Sequence, residues 1–396
     1  MMRATLALGV TQILGYGALY YAFPILVPHL AADFGRSETT LYMVFSVGFL
    51  LGGFCAPHLG RAMDRLGAPR VMVWGSAAVA LALALLALAP VFWLWVAGLL
   101  LIEAISVAVL YDAAFAALVR LGGAGARRDI TRLTLIAGLA STVFWPLSSL
   151  LIEAVGWRGT YLVFAALHGG LALPLHLWLA RQRPAAVAAS PRQTALVFAP
   201  LPQALRGRAF AAVALSFALS GALIAGFGVH MVPMLTLAGL GAQAVAVGML
   251  VGPAQVAIRL IDALFWRSVH PLSVALVSGL SLPVAVLGVL LELPALAAAA
   301  GFAVLFGVGQ GLSSIVRGSV PLALFGAEGY GARLGNLALL RTLASAGAPV
   351  AMAWLLAIWG LEGALLVSLC LGLVAVLPLI WLRLALSRAG LLAPVG

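Results

Sequence analysis

Long apolar runs constrain the fold of this chain more than any other feature of its sequence. Twelve stretches carry few or no charged side chains over about 20 residues or more. An α-helix needs about 20 apolar residues to cross a bilayer core of about 30 Å, so each stretch predicts one membrane-spanning helix. The predicted spans, numbered 1 to 12 in chain order, cover residues 4–30, 39–59, 71–91, 92–119, 132–155, 159–180, 208–232, 241–266, 271–291, 294–318, 336–359 and 362–386.

The small number of charged residues excludes several classes of protein. Of the 396 residues, 64% are hydrophobic and only 8% are charged, and the mean hydropathy is +1.16. A soluble domain carries about 25% charged residues, which it needs to cover its surface. The composition therefore excludes a soluble enzyme, a nucleic-acid-binding protein and a disordered chain, and it predicts an all-α integral membrane protein.

The positive charges of the chain mark one side of the membrane. The net charge is +11, and all 22 basic residues are arginine. With both termini in the cytoplasm, twenty arginines, including Arg341, fall on the cytoplasmic side or in the inner ends of the spans, and only Arg36 and Arg158 fall outside. This bias follows the positive-inside rule. The charge therefore indicates topology rather than a nucleic-acid partner, and it predicts a bacterial inner (plasma) membrane protein with both termini cytoplasmic.

A stretch rich in proline and alanine divides the spans into two sets of six. Residues 181–205 are interpreted as a cytoplasmic linker between an N-terminal six-helix bundle, 1–180, and a C-terminal six-helix bundle, 206–396. The two halves repeat each other at an offset of 204 residues. The matching sequences are Gly156-Trp157-Arg158-Gly159 with Gly360-Leu361-Glu362-Gly363, and Gly17-Ala18-Leu19 with Gly221-Ala222-Leu223. A duplicated helical unit is typical of membrane transporters.

A short loop motif follows span 2. It reads Gly60-Arg61-Ala62-Met63-Asp64-Arg65-Leu66-Gly67-Ala68-Pro69-Arg70. The segment resembles the G-x-x-x-D-R-x-G-x-x-R motif of the major facilitator superfamily, at the position where that family carries it. The resemblance implies twelve transmembrane helices in two pseudo-symmetric six-helix bundles, and transport by alternating access of the two halves.

The same resemblance implies roles within the loop. It implies a cytoplasmic gate, locked in the outward-open state, that is formed by Gly60, Asp64, Arg65, Gly67 and Arg70. Gly60 would let two helices approach each other, and Asp64 would place a carboxylate near a helix end. From the residues alone, the loop is also interpreted as a basic two-helix turn that follows the positive-inside rule.

The branch of the family is less closely defined by the sequence. The glycine-rich span 10 and the turn after it are similar to bacterial members near the monocarboxylate/oxalate porter branch. Span 1, however, lacks the acidic opening of monocarboxylate porters, and Arg259 precedes Asp262 where those porters usually place the aspartate first. Span 5 also lacks the Gly-Pro-x-x-Gly-Gly stretch of drug/proton antiporters, so the substrate subclass stays open.

Polar side chains at helical spacing within the spans are candidates for a substrate cavity, because a polar group in a membrane is costly unless it faces protein or water. The predicted cavity residues are Gln12, Tyr16, Tyr20, Ser141, Trp145, Gln255, Gln310 and Arg317. Close packing of helices is the alternative explanation for such stripes. Arg259 and Asp262 in span 8 are predicted either as an ion pair of the cytoplasmic gate or as an anion-coordinating group.

Glu103 is the acidic residue that lies nearest the middle of a predicted span. A carboxyl group far from water is suited to bind and release a proton, so Glu103 is predicted to couple transport to protons. The alternative is a neutral, hydrogen-bonded carboxyl group that stabilises the packing of span 4.

Motifs of ATP-driven and hydrolytic proteins are absent from the sequence. It contains no Walker loop, no HExxH and no G-x-S-x-G, and neither a cofactor nor a metal is predicted. The predicted function is secondary transport of a small organic anion, driven by protons, by a monomer surrounded by membrane lipids. The anion is suggested by Arg259 and Arg317, which face inward. The alternatives are proton-driven efflux of an amphipathic drug-like compound and, from another class, a membrane sensor or enzyme that does not transport.

Overall fold

The computed structural model describes residues 1–182, 201–266, 268–292 and 296–391, and in these residues the regular structure is helical. Helices satisfy every backbone hydrogen bond within one segment, as an apolar environment requires. The α-helices are α1 (Met2–Tyr16), α2 (Phe23–Phe34), α3 (Glu38–Ala62), α4 (Ala68–Leu88), α5 (Phe92–Ser106), α6 (Tyr111–Gly122), α7 (Ala126–Ala137), α8 (Ala140–Leu167), α9 (Leu173–Ala180), α10 (Gln203–Leu235), α11 (Gln243–Gly248), α12 (Val251–Phe265), α13 (Pro271–Glu292), α14 (Leu296–Phe325), α15 (Tyr330–Ala346) and α16 (Ala348–Arg388). Most of the predicted linker 181–205 lies outside the described residues.

Within this part of the chain, nine segments are long and apolar enough to cross a membrane. The three longest, of 51, 55 and 59 residues, are Glu38–Leu88, Ala126–Ala180 and Tyr330–Arg388. A straight helix of 51 residues would be about 75 Å long, more than twice the bilayer core. Each of the three is interrupted by a glycine with positive φ: Gly67, Gly156 or Gly360. The predicted all-α membrane fold is confirmed, and the number of twelve spans stays a prediction.

The first of two structural units comprises Met1–Gln193 and Ala327–Leu339. In this unit α3 packs against α5, and α4 packs against α5 and α8. Large side chains fill the space between these helices, and Trp95, Phe144 and Phe164 are fully buried there.

Four predicted spans of this unit are interrupted in the described residues. Spans 1 and 6 contain π-helical turns at Gly17–Tyr21 and His168–Ala172, span 4 leaves the helical path at 107–110, and span 5 does so at 138–139. Irregular backbone inside a membrane is tolerated only where protein or water surrounds the freed polar groups. These interruptions therefore lie against protein or water rather than lipid.

The second unit comprises Thr194–Gly326 and Leu340–Gly396. Here α10 packs against α16, and α14 packs against α12 and α13. Phe227, Phe302 and Phe306 form the aromatic centre of its core. Close packing of α12 on α14 brings polar side chains of the two helices together.

Candidate functional site

Glu103 lies in a notch between two glycines of α3. A Cβ atom built on Gly48 would lie 2.8 Å from Glu103 Cγ, and one built on Gly52 would lie 2.6 Å from the Glu103 carbonyl oxygen. Two glycines one helical turn apart thus let α5 lie directly on the backbone of α3. Only 5% of Glu103 is exposed. The structure therefore buries Glu103 inside the first unit, with the stem of its side chain against the backbone of α3.

Tyr20 lies within electrostatic range of Glu103. The Tyr20 ring contacts the rings of Phe45 and Tyr21, at centroid distances of 6.0 Å and 5.4 Å. Tyr21 in turn meets Trp145 edge to face at 6.3 Å. Tyr20 and Trp145 are 50% and 54% exposed. Two of the predicted cavity residues thus belong to one aromatic cluster with an open side.

Sequence reasoning did not select Phe45 or Tyr21 as partners of this cluster. Both are aromatic residues within apolar runs, and such residues are common in helix cores. The π-helical turn is what brings Tyr20 and Tyr21 to the same cluster, and the sequence contains no signal for that turn.

Gln12 supports the break in span 4. Its Nε2 donates a hydrogen bond of 2.8 Å to the carbonyl oxygen of Val109, which the break leaves without a helical partner. The side chain is fully buried. Beside it, the ring of Tyr16 lies 4.7 Å from that of Tyr111, the first residue of α6. Gln12 thus acts as a helix cap here, and a cavity role for Gln12, Tyr16 and the partly buried Ser141 stays a prediction.

The second unit holds a polar cluster between α12 and α14. The Gln255 amide donates a hydrogen bond to Oε1 of Gln310. Arg259 Nε donates to the carbonyl oxygen of Gly311 at 3.3 Å, and its Nη2 lies 3.5 Å from Oε1 of Gln255. Gly311 allows this close contact, because a Cβ atom there would lie 2.9 Å from the Gln255 carbonyl oxygen. The structure thus brings together three residues that the sequence singled out on two spans.

Arg259 and Asp262 are both buried, with 8% and 5% of each residue exposed, and they lie one turn apart on α12. In the described part of the chain, the hydrogen bonds of Arg259 go to neutral groups, the Gln255 amide and the Gly311 carbonyl. Arg317 is partly buried on α14. A gate role for Arg259 and Asp262, and a cavity role for Arg317, stay predictions.

The loop motif binds the beginning of α15 within the first unit. The two carboxylate oxygens of Asp64 accept hydrogen bonds of 2.8 Å from the backbone N–H groups of Gly331 and Ala332. An acidic side chain at a helix N-terminus satisfies free N–H groups and interacts favourably with the helix dipole. A Cβ atom on Gly60 would lie only 2.2 Å from the Gly331 carbonyl oxygen, so Gly60 permits this approach.

The remaining motif residues take different positions. Gly67 has φ of 92° and begins the turn into α4, and a Cβ atom on it would lie 3.0 Å from the guanidinium carbon of Arg120. Arg65 and Arg70 are exposed. Gly60, Asp64 and Gly67 thus serve the contacts of the loop directly, whereas gating by Arg65 and Arg70 stays a prediction.

Arg341 lies well within α15, and its place on the cytoplasmic side stays a prediction. Span 11 was predicted to begin at 336, which placed Arg341 among the cytoplasmic arginines. In the structure α15 begins at Tyr330, so Arg341 lies eleven residues, about 16 Å, into the helix. A Cβ atom on Gly221 would lie 2.7 Å from Arg341 Cγ, so this arginine packs closely against α10.

Comparison with known proteins places this architecture in a family. The model of the Major Facilitator Superfamily matches residues 8–316, which is most of the chain. No curated protein sequence matches it.

Solved structures share the fold at low sequence identity. The human organic anion transporter MFSD10 (TETRAN) is 18% identical, with 96% of this chain and 99% of that chain covered, and a TM-score of 0.73. A variant of the E. coli Fucose:proton symporter FucP is 15% identical, with 96% and 98% covered and a TM-score of 0.71. FucP in the outward conformation is 15% identical, with 95% and 97% covered and a TM-score of 0.68. The extent of the family match and this shared fold show that the chain is a transporter, not an enzyme, and belongs to the Major Facilitator Superfamily.

Proposed function

We propose that this protein carries a small organic anion across the bacterial inner membrane by alternating access and couples the movement to protons. It acts as a monomer with both termini in the cytoplasm. Its two six-helix halves, 1–180 and 206–396, are joined by the cytoplasmic linker 181–205. The shared fold with an organic anion transporter and with a fucose:proton symporter supports this class of mechanism.

The buried guanidinium of Arg259 is the observation that carries the assignment to an anion. A charged side chain within a membrane is costly and usually serves a substrate or ion pathway. The neutral groups of Gln255 and Gly311 hold the guanidinium in place without neutralising its charge. Guanidinium binds carboxylates through paired hydrogen bonds, which makes a carboxylate the matching ligand. Asp262, one turn further on α12, would balance this charge between binding events.

Glu103 is assigned to proton coupling. Its side chain is buried against Gly48 of α3, with the phenol of Tyr20 nearby. A carboxyl group in such surroundings changes its charge only where water reaches it, and a change of conformation would move that access from one side of the membrane to the other. Binding and release of one proton on alternate sides of the membrane would then link the proton gradient to transport.

The contact of Asp64 with the beginning of α15 is assigned to the cytoplasmic gate. Two hydrogen bonds from Gly331 and Ala332 to one carboxylate hold α15 against the end of α3. Opening of the cytoplasmic side would break both bonds and separate Gly60 from Gly331. Closed and open states therefore differ in a small set of hydrogen bonds, as alternating access requires.

A second candidate function is efflux of an amphipathic compound by proton antiport. The aromatic cluster of Tyr20, Tyr21, Phe45 and Trp145 favours it, because aromatic faces bind apolar and cationic groups alike. An anion carrier needs few such rings. The ligand preference of the purified protein separates the two candidates.

Ligand-induced stabilisation tests the proposed substrate class. We expect at least one of lactate, oxalate, succinate and benzoate to raise the midpoint of thermal unfolding of the detergent-purified protein. A ligand that binds only the folded state at 100 times its Kd stabilises that state by about 2.7 kcal/mol. Tetraphenylphosphonium, an amphipathic cation, serves as the comparison. Stabilisation by the cation alone would reject the organic anion and support the second candidate.

A further inference from the structure

The surroundings of Glu103 limit the routes by which a proton can reach it. On the side of α3, Gly48 lies against Cγ of Glu103 and Gly52 lies against its main-chain carbonyl oxygen. The phenol of Tyr20 lies near enough to Glu103 to interact with it electrostatically, and Tyr20 as a residue is 50% exposed. Tyr20 thus offers an approach to Glu103 that does not cross α3.

Tyr20 connects to α8 through Tyr21 and Trp145. The rings of Tyr20 and Tyr21 meet edge to face, and the rings of Tyr21 and Trp145 do the same. Trp145 is more than half exposed. The open surface beside Tyr20 thus continues onto one face of α8.

That face of α8 is polar and exposed. Thr142, Trp145, Ser149 and Glu153 follow one another at steps of three, four and four residues, so they share one side of the helix, and each is exposed. Phe144, Ser148 and Ile152 on the packed side are buried. A hydroxyl-bearing stripe that ends in a carboxylate is costly against lipid, so this face lines water.

Glu153 stands at the outer end of the stripe. It lies three residues before Gly156, which ends this part of α8 on the side that the arginine distribution predicts to be external. Nearby, Arg158 and Asp33 form an ion pair, with Nη1 of Arg158 2.7 Å from Oδ2 of Asp33. Glu153 therefore contributes a negative charge at the mouth of the stripe.

We propose that the face of α8 formed by Thr142, Trp145, Ser149 and Glu153 is the external proton route to Glu103, with Glu153 as its collecting carboxylate. This inference rests on the proposed proton coupling. A proton taken up from external water at Glu153 moves as hydronium along the stripe, passes Tyr20 and binds the Glu103 carboxylate. Glu153 thus acts through Glu103 and does not contact the substrate.

The ionisable groups around the two ends of this route are few. α5 packs against α3 and α4, and α3 presents glycines to Glu103, so Tyr20 is the titratable group that faces it. The other ionisable side chains of α3 and α4 are Glu38, Tyr42, Cys55, His58, Arg61 and Arg70, of which Cys55, three residues after Gly52, is the nearest along the chain to the glycines. Near Glu153, the packed helix α2 carries His29 and Asp33.

The test compares two external carboxylates in intact cells. Glu153→Gln removes the carboxylate on the route, and Glu38→Gln removes an exposed carboxylate in the first turn of α3, which lies off the route. The probe is the labelled carboxylate that most stabilises the purified protein in the thermal series. We expect Glu153→Gln to lower the initial rate of accumulation about threefold or more at the highest external pH, where protons limit the rate, because a local charge raises the capture rate of its counter-ion. The deficit should disappear at low external pH, and Glu153→Asp should restore the rate.

Three outcomes decide the inference. The route is wrong, and the proposed coupling stands, if Glu153→Gln and Glu38→Gln have the same initial rates of accumulation over the whole pH range while Glu103→Gln abolishes accumulation. If Glu103→Gln accumulates substrate normally, the coupling itself fails and the route falls with it. Tyr20→Phe, which keeps the ring contacts, should change the pH dependence of the rate, whereas the neighbouring Tyr21→Phe should not, and identical pH profiles for both variants would also overturn the route.

Discussion

The Glu103→Gln variant is expected to exchange substrate normally but to lose accumulation driven by a pH gradient. Glutamine has the shape of glutamate, so it fits the notch at Gly48 and Gly52 without displacing α3 or α5. It cannot bind and release a proton in the physiological range. The measurement compares two assays of the variant in proteoliposomes: accumulation of labelled carboxylate under an imposed gradient, and counterflow without one.

Counterflow is the internal control for this prediction, because it requires binding and conformational change but no net proton movement. Glu38→Gln, with its exposed side chain, provides a matched variant that should behave as wild type in both assays. Undiminished accumulation by Glu103→Gln would remove Glu103 from the mechanism and leave it as a packing residue of α5.

Arg259→Gln is expected to weaken organic anion binding about 30-fold or more. Truncating one partner of a buried, hydrogen-bonded charge pair costs about 2–5 kcal/mol, and each 1.4 kcal/mol is a factor of about ten in Kd. The anion affinity of Arg259→Lys should lie between those of Arg259→Gln and wild type, because an ammonium group keeps the charge but loses the paired geometry. The concentration dependence of thermal stabilisation by the best carboxylate ligand gives the affinities.

Arg383→Gln serves as the matched control, since it removes one positive charge from an exposed position of the same unit. The control variant should bind the anion as wild type does. Equal affinities for Arg259→Gln and Arg383→Gln would show that the buried guanidinium holds α12 against α14 and takes no part in binding.

The helical membrane fold was predictable because the required signals are strong and local. Long apolar runs and the distribution of arginine each follow from the cost of charged groups in a bilayer. The repeated glycines were also informative, since Gly156 and Gly360, matched by their offset, both adopt positive φ and interrupt long helices in the structure. The motif after span 2 indicated that Asp64 lies near a helix end, and that helix is α15.

The parts of the site that could not be predicted depend on helix irregularity and on helix ends. Gln12 was selected as a polar residue on a stripe, but its partner is a carbonyl group that only the break at 107–110 sets free. The start of α15 lies six residues before predicted span 11, because a helix extends beyond its apolar run. Sequence patterns define helix faces well and helix ends poorly, since caps and breaks depend on contacts distant in sequence.

Uptake of labelled carboxylate into proteoliposomes under an imposed pH gradient tests the central claim most directly. The probe is the carboxylate that stabilises the protein most, and the gradient is acid outside. We expect accumulation above the equilibrium concentration, abolished by a protonophore and by Arg259→Gln. Uptake that is absent, or that is unaffected by the gradient, would contradict proton-coupled transport of an organic anion, and extrusion of tetraphenylphosphonium by the same vesicles would assign the protein to efflux instead.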